Sequence, residues 1–159
     1  MNQTAFARLE KECVRAVSGN ATAGMLAVAF APLAKRLSAA EKISAVLHFL
    51  KRDARRRRSG QSDWLAWYFV HGAIRGAVVL PWSRVDLETL LRGVIAESHA
   101  LPPEFIARAV GQFIKANGPP DKELSKLGTR AARSLWPPGA SEGANFKAAA
   151  AKLKQHMSA

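Results

Sequence analysis

Apolar residues recur at three- and four-residue steps along almost the whole chain, the spacing that lines one face of a 3.6-residue helix. Phe6, Leu9, Cys13 and Val17 make one such stripe, and Val85, Leu87, Leu90, Leu91, Val94 and Ile95 make another. An extended piece is expected only at Val78-Val79-Leu80, just before Pro81. The fold class this dictates is all-α, with seven or eight helices in one multi-helix domain.

Glycine, proline and capping residues place the breaks. Gly19-Asn20 ends the first helix, and a second follows over Met25–Leu37, kinked or broken at Pro32. Ser38 and Glu41 have capping-box spacing, so a third helix starts there. Its stripe of Ile43, Val46, Leu47, Leu50 and Ala54 ends near Arg56, because Arg57 would fall among the apolar residues. Ser62 or Asp63 caps the next helix, ahead of the aromatic run WLAWYFV at 64–70. Ser83 caps the following one, Pro102-Pro103 opens another, and Asn117-Gly118 stops it. Asp121 caps a basic helix running to about Trp136. Pro137-Pro138-Gly139 then reads as a linker, and Ser141 caps a last helix. The expected division is a helical core over 1–136 and a linker with a basic C-terminal helix over 137–159.

The 24 Lys and Arg against 12 Asp and Glu give a net charge of +12, which bears on partners rather than on fold. The charge is uneven: residues 35–58 carry +7 and 122–159 carry +5, flanking a nearly neutral middle. A single cysteine, Cys13, leaves no pair for an internal disulfide and no cluster for zinc. With the Ala- and Arg-rich composition, this fits a bacterial cytoplasmic protein. Of two long apolar stretches, 16–34 is diluted by Ser18, Gly19, Asn20, Thr22 and Gly24 and interrupted by Pro32, while 64–80 contains His71 and Arg75 and falls short of a span. Buried helices are expected there, not membrane helices or a signal peptide.

The densest charge lies in LKRDARRRRSG, at 50–60. His48, Lys51, Arg52, Arg55 and Arg56 project opposite the apolar stripe, and Arg57 and Arg58 extend the run. Guanidinium groups match phosphate oxygens, and a polyanion gains affinity there by counterion release. A second basic face comes from Lys122, Lys126, Arg130 and Arg133, which recur at three- and four-residue steps. A third block lies at Lys147–Lys154. The plainer reading of each run is a solvated helix face.

The stretch IAESHALPPEFIARAV, at 95–110, resembles the helix-turn-helix of bacterial repressors. In that resemblance Ala96 is the small residue of the first helix, and Ala100-Leu101 forms the turn. Ile106 and Val110 anchor the second helix. Ala100 stands where the pattern has glycine, and Phe105 where it is usually polar. The resemblance implies exposed positions at Glu104, Ala107, Arg108, Gly111, Gln112 and Lys115, with Arg108, Gln112 and Lys115 facing base edges. The same residues also read as two packed helices joined by a short turn.

Catalysis finds no footing. His48, His71, His99 and His156 have no metal-binding spacing, no Gly-rich phosphate loop precedes a helix, and no serine sits in a nucleophile motif. Trp64, Trp67, Tyr68 and Phe69 surround one short helix and read as core. No enzyme, metal or cofactor is expected. The expected function is nucleic-acid binding in a regulatory or accessory role, DNA favoured over RNA, with phosphate contacts dominant. The alternative is an adaptor or inhibitor docking an acidic protein partner, as in conjugation, secretion or phage systems. Apolar surface on the 64–70 helix or the last helix offers a route to a homodimer.

Overall fold

The computed structural model describes residues 1–18, 23–74, 78–135 and 144–158. Eight α-helices and no strand occur among the described residues: α1 (Gln3–Val17), α2 (Ala23–Arg36), α3 (Ala39–Arg58), α4 (Leu65–Ala73), α5 (Arg84–Ala96), α6 (Pro103–Asn117), α7 (Lys122–Leu135) and α8 (Ala144–Ser158). The all-α class read from apolar periodicity is what the chain adopts. Contacts group into two compact units, Met1–Leu80 with α1–α4 and Pro81–Ala159 with α5–α8. The expected linker at 137–139, the cap at Ser141 and the break at Gly19-Asn20 lie outside the described residues.

Most helix starts follow from local chemistry. Ser38 and Ser83 accept hydrogen bonds from the backbone N–H groups of Glu41 and Asp86, both at 3.1 Å. The Asp121 carboxylate accepts from Leu124 N–H at 2.9 Å, and Pro103 occupies the first turn of α6. Gly118 ends α6 at φ +84° and Gly60 follows α3 at φ +85°, both in the left-handed region that glycine enters without strain.

Three expectations are corrected. Of the kink or break expected at Pro32, the break does not occur: helix α2 runs through it. The carbonyl that Pro32 cannot serve belongs to Val28, a residue that is 76% exposed. Helix α3 continues to Arg58, because Arg57 at the edge of the apolar side lies over the Trp64 ring, 4.2 Å from its centre. Neither Ser62 nor Asp63 caps α4: its N-cap position is Trp64, which has no capping side chain.

In the first unit α4 lies against α2 and α3. Its core centres on Phe69, which meets Phe30 and Phe49 edge to face at 6.2 and 5.4 Å between ring centres. All three rings are fully buried. The aromatic surface of 64–70 expected for a dimer is therefore largely interior: Leu65, Ala66, Phe69 and Val70 are buried, while Trp64, Trp67 and Tyr68 are partly covered. In the second unit α8 packs on α6 and α7, and α7 packs on α5. Leu87, Leu91, Ile106, Leu124 and Leu153 fill that core. Arg84, at the first turn of α5, pairs with Glu88 at 2.9 Å and with Asp121 at the head of α7.

Gly72 sets how closely α4 approaches α2. A Cβ at this position would stand 2.4 Å from Phe30 Cδ2 and 2.7 Å from Phe30 Cγ, inside contact distance. Substitution G72A is expected to destabilise the protein by about 1–3 kcal/mol through overpacking, despite alanine's better helix propensity. Urea denaturation of the two proteins checks this; equal or higher stability of the variant contradicts the packing.

Candidate functional site

The arginine run does not present one face. Phe49, absent from the expected stripe, is fully buried, and its burial rotates the interior side of α3 until it takes in Arg52 and Asp53. Arg52, expected on the outward basic face, is only 7% exposed. Its Nε donates to Glu10 Oε1 of α1 at 2.8 Å, and its Nη1 donates to Asp53 Oδ1 at 2.9 Å and to Asp63 Oδ1 at 3.0 Å. Arg56 Nε donates to Asp63 Oδ2 at 2.6 Å. Arg57 donates to the Asp63 backbone carbonyl while its guanidinium covers Trp64. Of these three arginines only Arg52 is buried; Arg57 is half-buried and Arg56 is exposed. A guanidinium left alone this deep would cost several kcal/mol, and three carboxylates offset that cost.

Asp53 explains the missing cap of α4. It is 1% exposed, and its Oδ2 accepts from the backbone N–H of Ala66 at 2.8 Å. A side chain thirteen residues upstream thus satisfies one of the orphan donors at the α4 N-terminus and sets a negative charge at the positive end of the helix dipole. Burial pushes the Asp53 carboxyl above its ordinary value, outweighing the bonds from Ala66 and Arg52. At Asp63 burial also raises, but the hydrogen bonds from Arg56 and Arg52 prevail and hold the carboxyl below its ordinary value. At Arg52 burial works against the cation, and the bonds to Glu10, Asp53 and Asp63 prevail and raise its pKa.

Outward on α3 stand Lys51, Arg55 and Arg58, all exposed and without a salt bridge among the described residues. His48 does not join them as a cation. Its ring stacks on Phe6 of α1, 4.3 Å between centres and 5° between planes, and burial lowers its pKa. Its environment disfavours the charged ring, which serves packing.

The paired helices α5 and α6 depart from what the repressor resemblance implied. Of the six positions expected to be exposed, Ala107 is 2% exposed and Gly111 faces α8, where a Cβ would stand 3.0 Å from His156 Nε2. Phe105 is buried edge to face with Trp82 at 5.9 Å. Glu104, Arg108 and Lys115 are exposed and Gln112 is half-buried, so a narrow stripe remains where a recognition face was expected. The cause at Gly111 is α8, which packs on α6.

The second unit instead brings two cation rows together. Lys122, Lys126, Arg130 and Arg133 are exposed along one line of α7, and Lys147 and Lys154 are exposed on α8 beside it. None of the six makes a salt bridge among the described residues. Glu123, at the margin of the α7 row, is the one acid on either helix. Between the helices lies an open groove of about 230 Å³, floored by Ala132, Ala150 and Ala151 and rimmed by Arg133, Lys147 and Lys154. The seven-residue step from Lys147 to Lys154 put both on one face of α8; that this face meets Arg133 is a tertiary fact no local spacing reveals.

Elsewhere the chemistry is quiet. Cys13 is fully buried, and desolvation, with Glu12 beside it, pushes its thiol up to about 12, so it is not a nucleophile. No group of three or more His, Cys, Asp or Glu side chains able to hold a metal ion occurs among the described residues. No described helix is long and apolar enough to cross a membrane. No protein-family model, curated protein sequence or solved structure matches the chain.

Removing the Asp53 carboxylate leaves α4 uncapped and Arg52 short of a partner. D53A is expected to cost about 3 kcal/mol. D53N, which keeps an acceptor for Ala66 N–H, costs less; a loss equal to that of D53A in urea unfolding contradicts the capping role. Asp63 supplies a pH dependence. Its pKa is lowered in the fold, so its stabilisation is present above the ordinary 3.8 and is lost as pH falls below that value. The stability gap between the parent and D63N is therefore larger at pH 6 than at pH 3, about 2 kcal/mol at the higher pH. Denaturation at both pH values measures it, and a constant gap contradicts the pairing.

Proposed function

We propose that this chain binds nucleic acid through its phosphates, in a regulatory or accessory role, with DNA favoured over RNA. The observation that carries the reading is the α7–α8 surface, where Lys122, Lys126, Arg130 and Arg133 stand exposed in a row on α7 and the last of them joins Lys147 and Lys154 of α8 at the rim of one groove, with Glu123 the one acid on either helix. A solvated helix face usually intersperses both signs, whereas a polyanion site excludes acids. Lys51, Arg55 and Arg58 offer a second, smaller cationic surface on α3. Arg52 and Arg57 drop out of the interface, since Arg52 is buried among carboxylates and Arg57 lies over Trp64, while Arg56 is exposed but bonded through Nε to Asp63.

Binding of this kind weakens steeply with salt, by roughly 0.9 log unit of affinity per log unit of salt for each phosphate neutralised on duplex DNA. Substituting Lys122, Lys126, Arg130 and Arg133 together by Ala is expected to lower that slope by roughly 3–4. All four side chains are exposed, so the fold should tolerate the change. Fluorescence anisotropy with a mixed-sequence oligonucleotide at several salt concentrations measures the slope. Absence of binding to DNA and RNA at low salt overturns the reading and transfers the surface to an acidic protein partner.

A further inference from the structure

Resting on that reading, we infer that the α7–α8 groove takes an unpaired nucleobase, so that the preferred ligand is a single strand. The groove is amphiphilic in a particular order. Its floor is alanine methyl groups from Ala132, Ala150 and Ala151, and its rim is Arg133, Lys147 and Lys154. A ligand that fills it carries a flat apolar part and an anionic part side by side, which is the makeup of a nucleotide with its base turned away from any partner. The volume of about 230 Å³ suits one ring system. It is smaller than the roughly 300–1,000 Å³ of sites built for larger cofactors. Arg133 belongs both to the rim and to the row Lys122, Lys126, Arg130, Arg133. A strand whose phosphates follow that row therefore reaches the groove without a break in charge. In a duplex the bases are stacked and paired inside the phosphate surface, so a duplex can meet the cations but can place nothing in the groove.

Ala151 permits a direct test, because it lines the groove yet is exposed, so a larger side chain there fills the site without entering the core. The full chain and the A151L variant, each verified as folded by circular dichroism, are titrated at low salt with a single-stranded oligonucleotide and with a duplex of equal length. The parent is expected to bind the single strand about tenfold tighter than the duplex, from apolar burial of one base. A151L is expected to lose that preference while keeping its duplex affinity and its salt slope. Equal affinity of the parent for both probes, or an equal loss on both in A151L, overturns the inference while leaving phosphate binding intact. Binding of neither probe overturns the underlying reading as well, and capture of an acidic amphipathic peptide by the groove in that case assigns it to a protein partner.

Discussion

The first unit depends on one buried charge cluster. Arg52 of α3 is surrounded by Glu10, Asp53 and Asp63, and through them it ties α1, the end of α3 and the segment leading into α4 to one point. Its removal from water is costly, so the cluster contributes specificity more than net stability: few other arrangements satisfy a guanidinium and three carboxylates together. Asp53 adds a backbone consequence, because the carboxylate that balances Arg52 also caps α4. The register between α3 and α4 is thereby set by polar geometry as well as by the Phe30, Phe49 and Phe69 cluster beneath it.

That arrangement divides a charge run that looks uniform in sequence. Arg52, Arg56 and Arg57 turn inward or sideways to carboxylates, a carbonyl and an indole ring, while Lys51, Arg55 and Arg58 stay in water. The division follows from helical geometry. Residues 52 and 56 share a side near Phe49, 57 lies next to the apolar stripe, and 51, 55 and 58 fall opposite. The weight of the electrostatic surface consequently moves from α3 to α7 and α8, where the acids are few and the one at the helix start, Asp121, is engaged by Arg84 and by the α7 backbone.

Helix positions were legible in the sequence because they rest on local chemistry: Ser38, Ser83, Pro103, Asp121 and Gly118 act within four residues of themselves. Long-range facts were not. The cap of α4 comes from a residue in the preceding helix, and Pro32 sits inside α2 where the residue whose carbonyl it cannot serve, Val28, lies at the surface. The partners of Arg52 lie 42 and 11 residues away as well as next door. Phe49, a large apolar side chain on α3 outside the stripe of Ile43, Val46, Leu47, Leu50 and Ala54, is the one local signal of the wider interior face. In the second unit both basic rows were visible as periodic lysines and arginines. Their meeting across an alanine-floored groove, and the cover α8 places on α6, depend on packing that periodicity does not encode.

The division of the cations into those that build the fold and those that meet a ligand is tested most directly by nuclear magnetic resonance of the arginine Nε–H groups during titration with an oligonucleotide. The account predicts that the Nε–H signals of Arg52 and Arg56, bonded to Glu10 and Asp63, are protected from exchange and do not shift, while those of Arg130 and Arg133 shift on binding. Rapid exchange of Arg52 in the free protein, or a shift of Arg52 in place of Arg130 and Arg133, would contradict it.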